Sequence, residues 1–262
     1  MPTANTVKLL TRVGFAARGI MYMLIGYLAL RLGRTEGGAG ALEWMSSGGG
    51  RVVLIAMAVG FLAYAFWRLS EAAIDSEGHG SDAKGIAVRL GGAVSGVIHL
   101  SLSWLALTLG MGAKGQSSDA AEQGASTALA LPGGEAALML AAIILLATGA
   151  FQLVKAIKLG FLKHIDPAVS GKPWIAWLGR AGYLARGAVF VVMAIFLWRA
   201  SRQSSAEAAG GMDQAMDVMP ASLQLLVAAG LLMFGIFSLV EARFRRINDP
   251  DVLKRLKQVG AG

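Results

Sequence analysis

No cysteine occurs anywhere in this chain, so disulfides, thiolate metal sites and cysteine nucleophiles are excluded together. Charge is scarce too: Asp, Glu, Lys and Arg make up 15% of the residues against 55% hydrophobic ones, and mean hydropathy is +0.59. That balance describes a membrane protein rather than a soluble domain. There are three histidines in all, one of them among the apolar runs, and no catalytic dyad or triad is visible. The glycine-rich runs at 37–40 and 48–50 lack the strand, lysine and Ser/Thr context of a phosphate loop. Asp75, Glu77, His79 and Asp82 share one loop, but their spacing fits no metal-ligand pattern and reads as solvated. The expectation is a non-enzymatic protein without catalytic residues, metal or cofactor.

Long apolar runs stand where those features are missing, at 13–30, 52–70, 90–110, 136–154, 181–198 and 222–240. An α-helix needs about 20 apolar residues to cross a hydrocarbon core of about 30 Å, so six crossings are expected. A transmembrane β-barrel would alternate with period two, whereas these runs are continuous and rich in Leu, Ala and Gly. The first run follows Lys8 and Arg12 and imitates a signal peptide. It is too long for one and lacks a clear small-x-small cleavage site, so it is expected to be retained.

The first run also opens a repeat. RVGFAARGIMYMLIG at 12–26 returns as RLGGAVSGVIHLSLS from Arg89 and as RAGYLARGAVFVVMA from Arg180. All three have Arg first, Gly third and Gly eighth, and two have a second Arg at the seventh position. The following spans align as well when anchored on Glu71, Lys155 and Glu241. Trp67 then matches Phe151 and Phe237, and Arg68 matches Gln152 and Ser238. The endings HIDP and INDP read as helix-stopping turns. The reading is one membrane domain over 1–262, with two-helix repeats at 10–85, 86–171 and 172–249 and a basic cytoplasmic tail at 250–262. That tail, DVLKRLKQVG, has the pattern of an amphipathic helix lying on the membrane. Short apolar segments in the external loops, two of them ending at Pro132 and Pro220, are expected at the interface.

A net charge of +8 looks like a nucleic-acid signature until the charges are placed along the chain. The N-tail, the 2–3 and 4–5 loops and the C-tail lie on one side and hold three quarters of the 24 Lys and Arg. By the positive-inside rule both termini are cytoplasmic. A basic face toward anionic lipid accounts for the charge without nucleic acid.

Each repeat holds an even number of crossings, so the copies share an orientation and should be related by rotation about the membrane normal. The expected fold is therefore all-α and polytopic, with six transmembrane helices in three parallel two-helix repeats around a pseudo-threefold axis. Positions four apart on a helix share a face. If the first helix of each pair faces inward, Arg18, Ser95 and Arg186 form a layer near the cytoplasm, Tyr22, His99 and Phe190 a middle layer, and Gly26, Ser103 and Ala194 an outer one. Tyr22, Ser95, His99, Ser103 and Phe190 are the axis-lining candidates. Intramembrane ionisable groups are expensive to bury unless paired or hydrated. His99 is either structural glue bonded to a neighbouring hydroxyl or a proton- or ion-handling group. Arg12, Arg18, Arg180 and Arg186 are lipid- or anion-binding candidates because a guanidinium fork suits phosphate oxygens. Arg68 and Glu71, three apart on one helical face, are an ion-pair candidate.

The pattern R-x-G-(F/Y)-x-A-R-G at 12–19 and 180–187, with a degenerate copy at 89–96, resembles the bacterial membrane proteins called domain of unknown function 1206 over roughly residues 10 to 250. The resemblance implies the bacterial inner (plasma) membrane and carries no assigned activity or ligand residue. Ser95, where the other copies have Arg, breaks a strict threefold charge ring. A three-times-two layout is also that of mitochondrial carriers, but the proline signature at the ends of their odd helices is missing here. Function is expected to be engagement of membrane lipids, or of a protein partner, at the basic cytoplasmic face. The alternative is a channel or transporter along the pseudo-threefold axis.

Overall fold

A computed structural model describes residues 4–75, 80–113 and 120–246. The expected tail helix at 250–262, the INDP turn, and Glu77 and His79 of the acidic loop lie outside those residues. In order, the helices are α1 (Ala4–Leu32), α2 (Gly38–Ser47), α3 (Arg51–Ile74), α4 (Ala83–Gly110), α5 (Ala120–Leu129), α6 (Gly134–Lys158), α7 (Pro167–Ser170), α8 (Pro173–Gln203), α9 (Met212–Asp217) and α10 (Ala221–Phe244). There is no strand among the described residues. Six helices, α1, α3, α4, α6, α8 and α10, are long and apolar enough to cross a membrane. In that medium only internal hydrogen bonding satisfies the backbone, which continuous apolar sequence permits in a helix.

Helix ends follow local chemistry. The Asp82 side chain caps α4 by accepting from Gly85 N at 2.8 Å. Asp75, Leu159 and Ser204 end α3, α6 and α8 in the left-handed conformation. The Asp-Pro pair at 166–167, expected to stop a helix, starts α7 instead. Asp166 accepts from Ala168 N, and Pro167 sits in the first turn, where its missing N–H costs nothing. Beside it, residues 164–166 pair with 244–246 through Asp166 N to Phe244 O and Arg246 N to His164 O, both 2.9 Å. This ties the ends of the fourth and sixth spans together.

The spans pack side by side in the order α4, α3, α1, α10, α8, α6. The arc is open, because α4 and α6 do not form a packed pair. Burial within the protein follows that order: 61% of α1 and 50% of α10 in the middle, against 22% for each outer arm. Three of the junctions are tight, namely α10 with α1, α3 with α4, and α6 with α8. At each, the eighth residue of the sequence repeat is a glycine against the partner helix. A Cβ on Gly19 would lie 2.9 Å from Gly235 O, on Gly96 3.3 Å from Ala65 O, and on Gly187 3.1 Å from Gly149 O. Leu239, Leu69 and Leu153 lie against the same three glycines. Small residues give apolar helices close approach where lipid provides no hydrophobic drive between them.

The open seam has an equally local cause. Within the first repeat Gly60 lies against Ala17 and Val13 O, and within the third Gly230 lies against Ala185 and Ala181 O. The matching residues of the second repeat are Ile144 and Val94, too large for that approach. Likewise Gly14 packs on Tyr64 and Gly182 on Phe234, while nothing lies within 4 Å of a Cβ placed on Gly91. The residue matching those aromatics is Thr148, whose hydroxyl donates to Ile144 O of its own helix at 2.7 Å. The second repeat is therefore split, its first helix packed on α3 and its second on α8.

At the far end of the bundle α2 buries Ala41 and Leu42, and α9 buries Ala215 and Met216. Thr35 donates to Asp217, tying the loop between α1 and α2 to α9. Burial, with Asp217 and Glu36 nearby, holds the Asp213 carboxyl above the usual carboxylate range.

Candidate functional site

Charged residues on the spans meet at each of the three tight junctions. At the α10–α1 junction Arg18 is buried and donates to Glu241 at 2.5 Å, to Tyr64 Oη at 2.7 Å and to Ser238 Oγ at 3.2 Å. The rings of Phe15, Phe234 and Tyr64 lie 4.5, 5.0 and 5.1 Å from its Cζ. The second oxygen of Glu241 accepts from Arg245 at 3.0 Å. Apart from Arg18 Nε, which lacks a partner, the polar groups of this buried pair are bonded from several helices, the condition under which burial of charge is tolerated.

At the α3–α4 junction the matching carboxylate is Glu71, buried, and the guanidinium comes from Arg68 one turn earlier on the same helix. Gly92 leaves room for it: a Cβ there would meet both Arg68 Cζ and Glu71 Oε2 at 3.8 Å. Ser95, at the position of Arg18, adds no charge.

The α6–α8 junction has no acid. Lys155 stands where the other two have Glu71 and Glu241, Gln152 where they have Arg68 and Ser238, and Arg186 where the first has Arg18. The register is set by Gly149 against Gly187 and Phe190, by Lys155 Nζ 4.7 Å from the Tyr183 ring centroid, and by Arg180 Nε donating to Ala156 O at 3.4 Å. Gln152 therefore lies level with Tyr183 to Gly187. It shares a helical face with Lys155, as Arg186 does with Tyr183. Among the described residues neither Arg186 nor Lys155 forms an ion pair. Gln152 is only 5% exposed, yet its amide oxygen and nitrogen both lack a hydrogen-bond partner, as does Arg186 Nε. The Arg186 guanidinium is held by rings alone, with Phe234, Tyr22 and Phe190 at 4.5, 5.0 and 5.1 Å.

The residues expected to line an axis are distributed differently from simple layers. Tyr22 is buried edge-to-face on Phe234, with centroids 4.9 Å apart. Phe190 is half-buried beside Arg186. Ser103 donates to Ala58 O at 2.8 Å, joining α4 to α3. His99 packs on Tyr64 and Phe61 of α3, and its Nδ1 lies 2.7 Å from Ser95 O. A carbonyl only accepts, so Nδ1 carries the proton there; buried Nε2 has no partner. The positive fields of Arg18, Arg186 and Arg68 converge on this imidazole. Of the first-position arginines, Arg12 is exposed. Arg89 donates to Ala72 O and Ala73 O, and Arg180 to Ala156 O. These guanidiniums sit on the carbonyl ends of the preceding helices, where the helix dipole favours a cation.

Sequence reasoning missed Glu241, Tyr64, Ser238 and Gln152 as members of the site. The alignment that anchors on Glu71, Lys155 and Glu241 already contained the signal, because it set two acids and a base at one position.

This architecture, six apolar helices in an open arc with charge concentrated at three glycine-packed junctions, defines an all-α, multi-pass membrane protein. The chain belongs to the family described as Domain of Unknown Function (DUF1206), whose model matches residues 13–75, 90–158 and 181–245. It is 25% identical over 258 residues to the uncharacterized protein YxxB of Bacillus subtilis (strain 168), covering 94% of each chain. No solved structure matches it significantly.

Proposed function

We propose that this is a non-enzymatic protein of the bacterial inner membrane, with both termini in the cytoplasm, that engages anionic lipid through its basic face. The asymmetry of charge between the two ends supports the reading. At the end where α1 begins and α10 finishes, Arg12, Lys158, Lys163, Lys172, Arg243 and Arg246 are exposed, and Trp174 and Trp177 are exposed beside them. Tryptophan suits the headgroup level, and each nearby Lys or Arg contributes about 1 kcal/mol toward an anionic surface. At the opposite end Arg31, Arg51, Arg199 and Arg202 are exposed too, but acids share that end, among them Glu135, Glu207, Asp213 and Asp217, and Arg34 is paired with Glu36 at 2.8 Å. Replacing Lys163, Lys172, Arg243 and Arg246 together by Gln is expected to reduce the phosphatidylglycerol, but not the phosphatidylcholine, retained by the purified protein in native mass spectrometry. Unchanged retention rejects the lipid reading and leaves the face to an acidic protein partner.

A second reading, a path for a small solute or ion, draws support from the unpaired Nε2 of buried His99 and the unpacked seam between α4 and α6. The cysteine-free sequence permits single cysteines at positions 22, 99, 103 and 190. Labelling by a membrane-impermeant thiol reagent is the result this reading requires, and protection of all four sinks it.

A further inference from the structure

We propose that the α6–α8 junction is a binding site for the phosphate group of one anionic phospholipid, with Arg186, Gln152 and Lys155 as its ligands and the α4–α6 seam as its entrance. The inference deepens the reading above and rests on it for the source of the phosphate. It locates one specific seat inside the bundle rather than on the charged face.

The argument runs by difference between three junctions of one backbone design. In two of them a buried carboxylate, Glu241 or Glu71, neutralises a guanidinium, the buried one of Arg18 or the partly exposed one of Arg68. In the third the equivalent residue is Lys155, so the junction has two cations and no protein anion. A buried cation without compensation is costly, and a free amide buried with both ends unbonded adds to that cost. Gln152 is buried in that condition, and half-buried Arg186 lies without an ion pair on the facing helix at its level. A phosphate monoanion supplies the missing negative charge and an acceptor for the Gln152 amide nitrogen. It accepts from the guanidinium fork, from the Gln152 amide nitrogen and from the Lys155 ammonium, in charge-assisted hydrogen bonds.

A lipid is favoured as the carrier because the junction lies within apolar helices and the bundle is open sideways. The arms that frame the seam, α4 and α6, are the two least buried spans. Their exposed faces carry Val94, Ile98, Ile143 and Val154, surfaces suited to acyl chains. A headgroup can thus enter from the bilayer without crossing packed protein.

The test uses the full chain, delipidated in a nonionic detergent, with thermal unfolding and direct binding followed on addition of dioctanoyl-phosphatidylglycerol, dioctanoyl-phosphatidylcholine or inorganic phosphate. Phosphatidylglycerol is expected to raise the midpoint, and the other two to act weakly or not at all. In Arg186→Gln its dissociation constant is expected to rise about tenfold or more. Gln152→Leu removes an amide that has no partner, so it keeps the fold while weakening the same binding, and serves if Arg186→Gln does not fold. Arg202→Gln, exposed at the opposite end of the bundle, should leave this binding unchanged. An equal response to inorganic phosphate overturns the lipid as carrier, and absence of any response overturns the site. Undiminished binding by Gln152→Leu and Arg186→Gln also overturns it. If phosphatidylglycerol binding falls in the basic-face variants but not in these two, this inference fails while the surface reading stands; the reverse pattern fails the surface reading alone.

Discussion

Where α10 meets α1 a glutamate answers an arginine, and where α6 meets α8 a lysine stands at the glutamate's position. The backbone contact is the same at both, glycine against a carbonyl oxygen with a leucine beside it. Close packing of these helices is therefore separable from their electrostatics. Small residues bring the axes together, and the charges then have to be balanced from whatever is at hand. At α10–α1 the balance is internal, at α3–α4 it is internal but arranged along one helix, and at α6–α8 none of the described residues supplies it.

The difference can be pressed from both sides. The largest effect is expected from Glu241→Ala. Removing one partner leaves Arg18 buried and uncompensated, at a cost of about 3–5 kcal/mol. Glu71→Ala should cost less, about 1–3 kcal/mol, because the Arg68 side chain is 20% exposed and long enough to turn its charge toward the interface. Equilibrium unfolding in mixed micelles reads both. Equal losses, or a larger loss at Glu71, would show that burial of the cation does not set the cost and would undo the comparison.

Much of the fold was legible in the chain. Continuous apolar runs give helices in a membrane, and the repeated Gly19, Gly96 and Gly187 mark where they touch. The seam was legible as well, though only in pairs: Gly60 with Ala17 and Gly230 with Ala185 allow contact, while Ile144 with Val94 prevents it. A reading that took the three repeats as equal expected a closed arrangement around one axis, and the structure has an open arc. The site was less accessible. Arg18 sits near the end of an apolar run, where a long side chain ordinarily reaches the interface. Its actual partners Glu241 and Ser238 are more than 200 residues away, a distance no local spacing reveals. Lys155 was visible as a break in the alignment, but a lysine near a helix end also suits the helix dipole. Only the packing of α6 on α8 shows that it lies against the Tyr183 ring and, among the described residues, has no acid paired with it.

The central claim, that the α6–α8 junction has the architecture of an ion-pair site without its carboxylate, is tested most directly by Lys155→Glu. This change rebuilds at α6–α8 the acid–guanidinium pairing of α10–α1. In delipidated protein the thermal midpoint is expected to rise above that of the parent chain, by less than Glu241→Ala lowers it, and phosphatidylglycerol should then add no further stability. A fall in the midpoint with the lipid response intact would contradict the account, because it would mean that Arg186 does not need an anion at this junction.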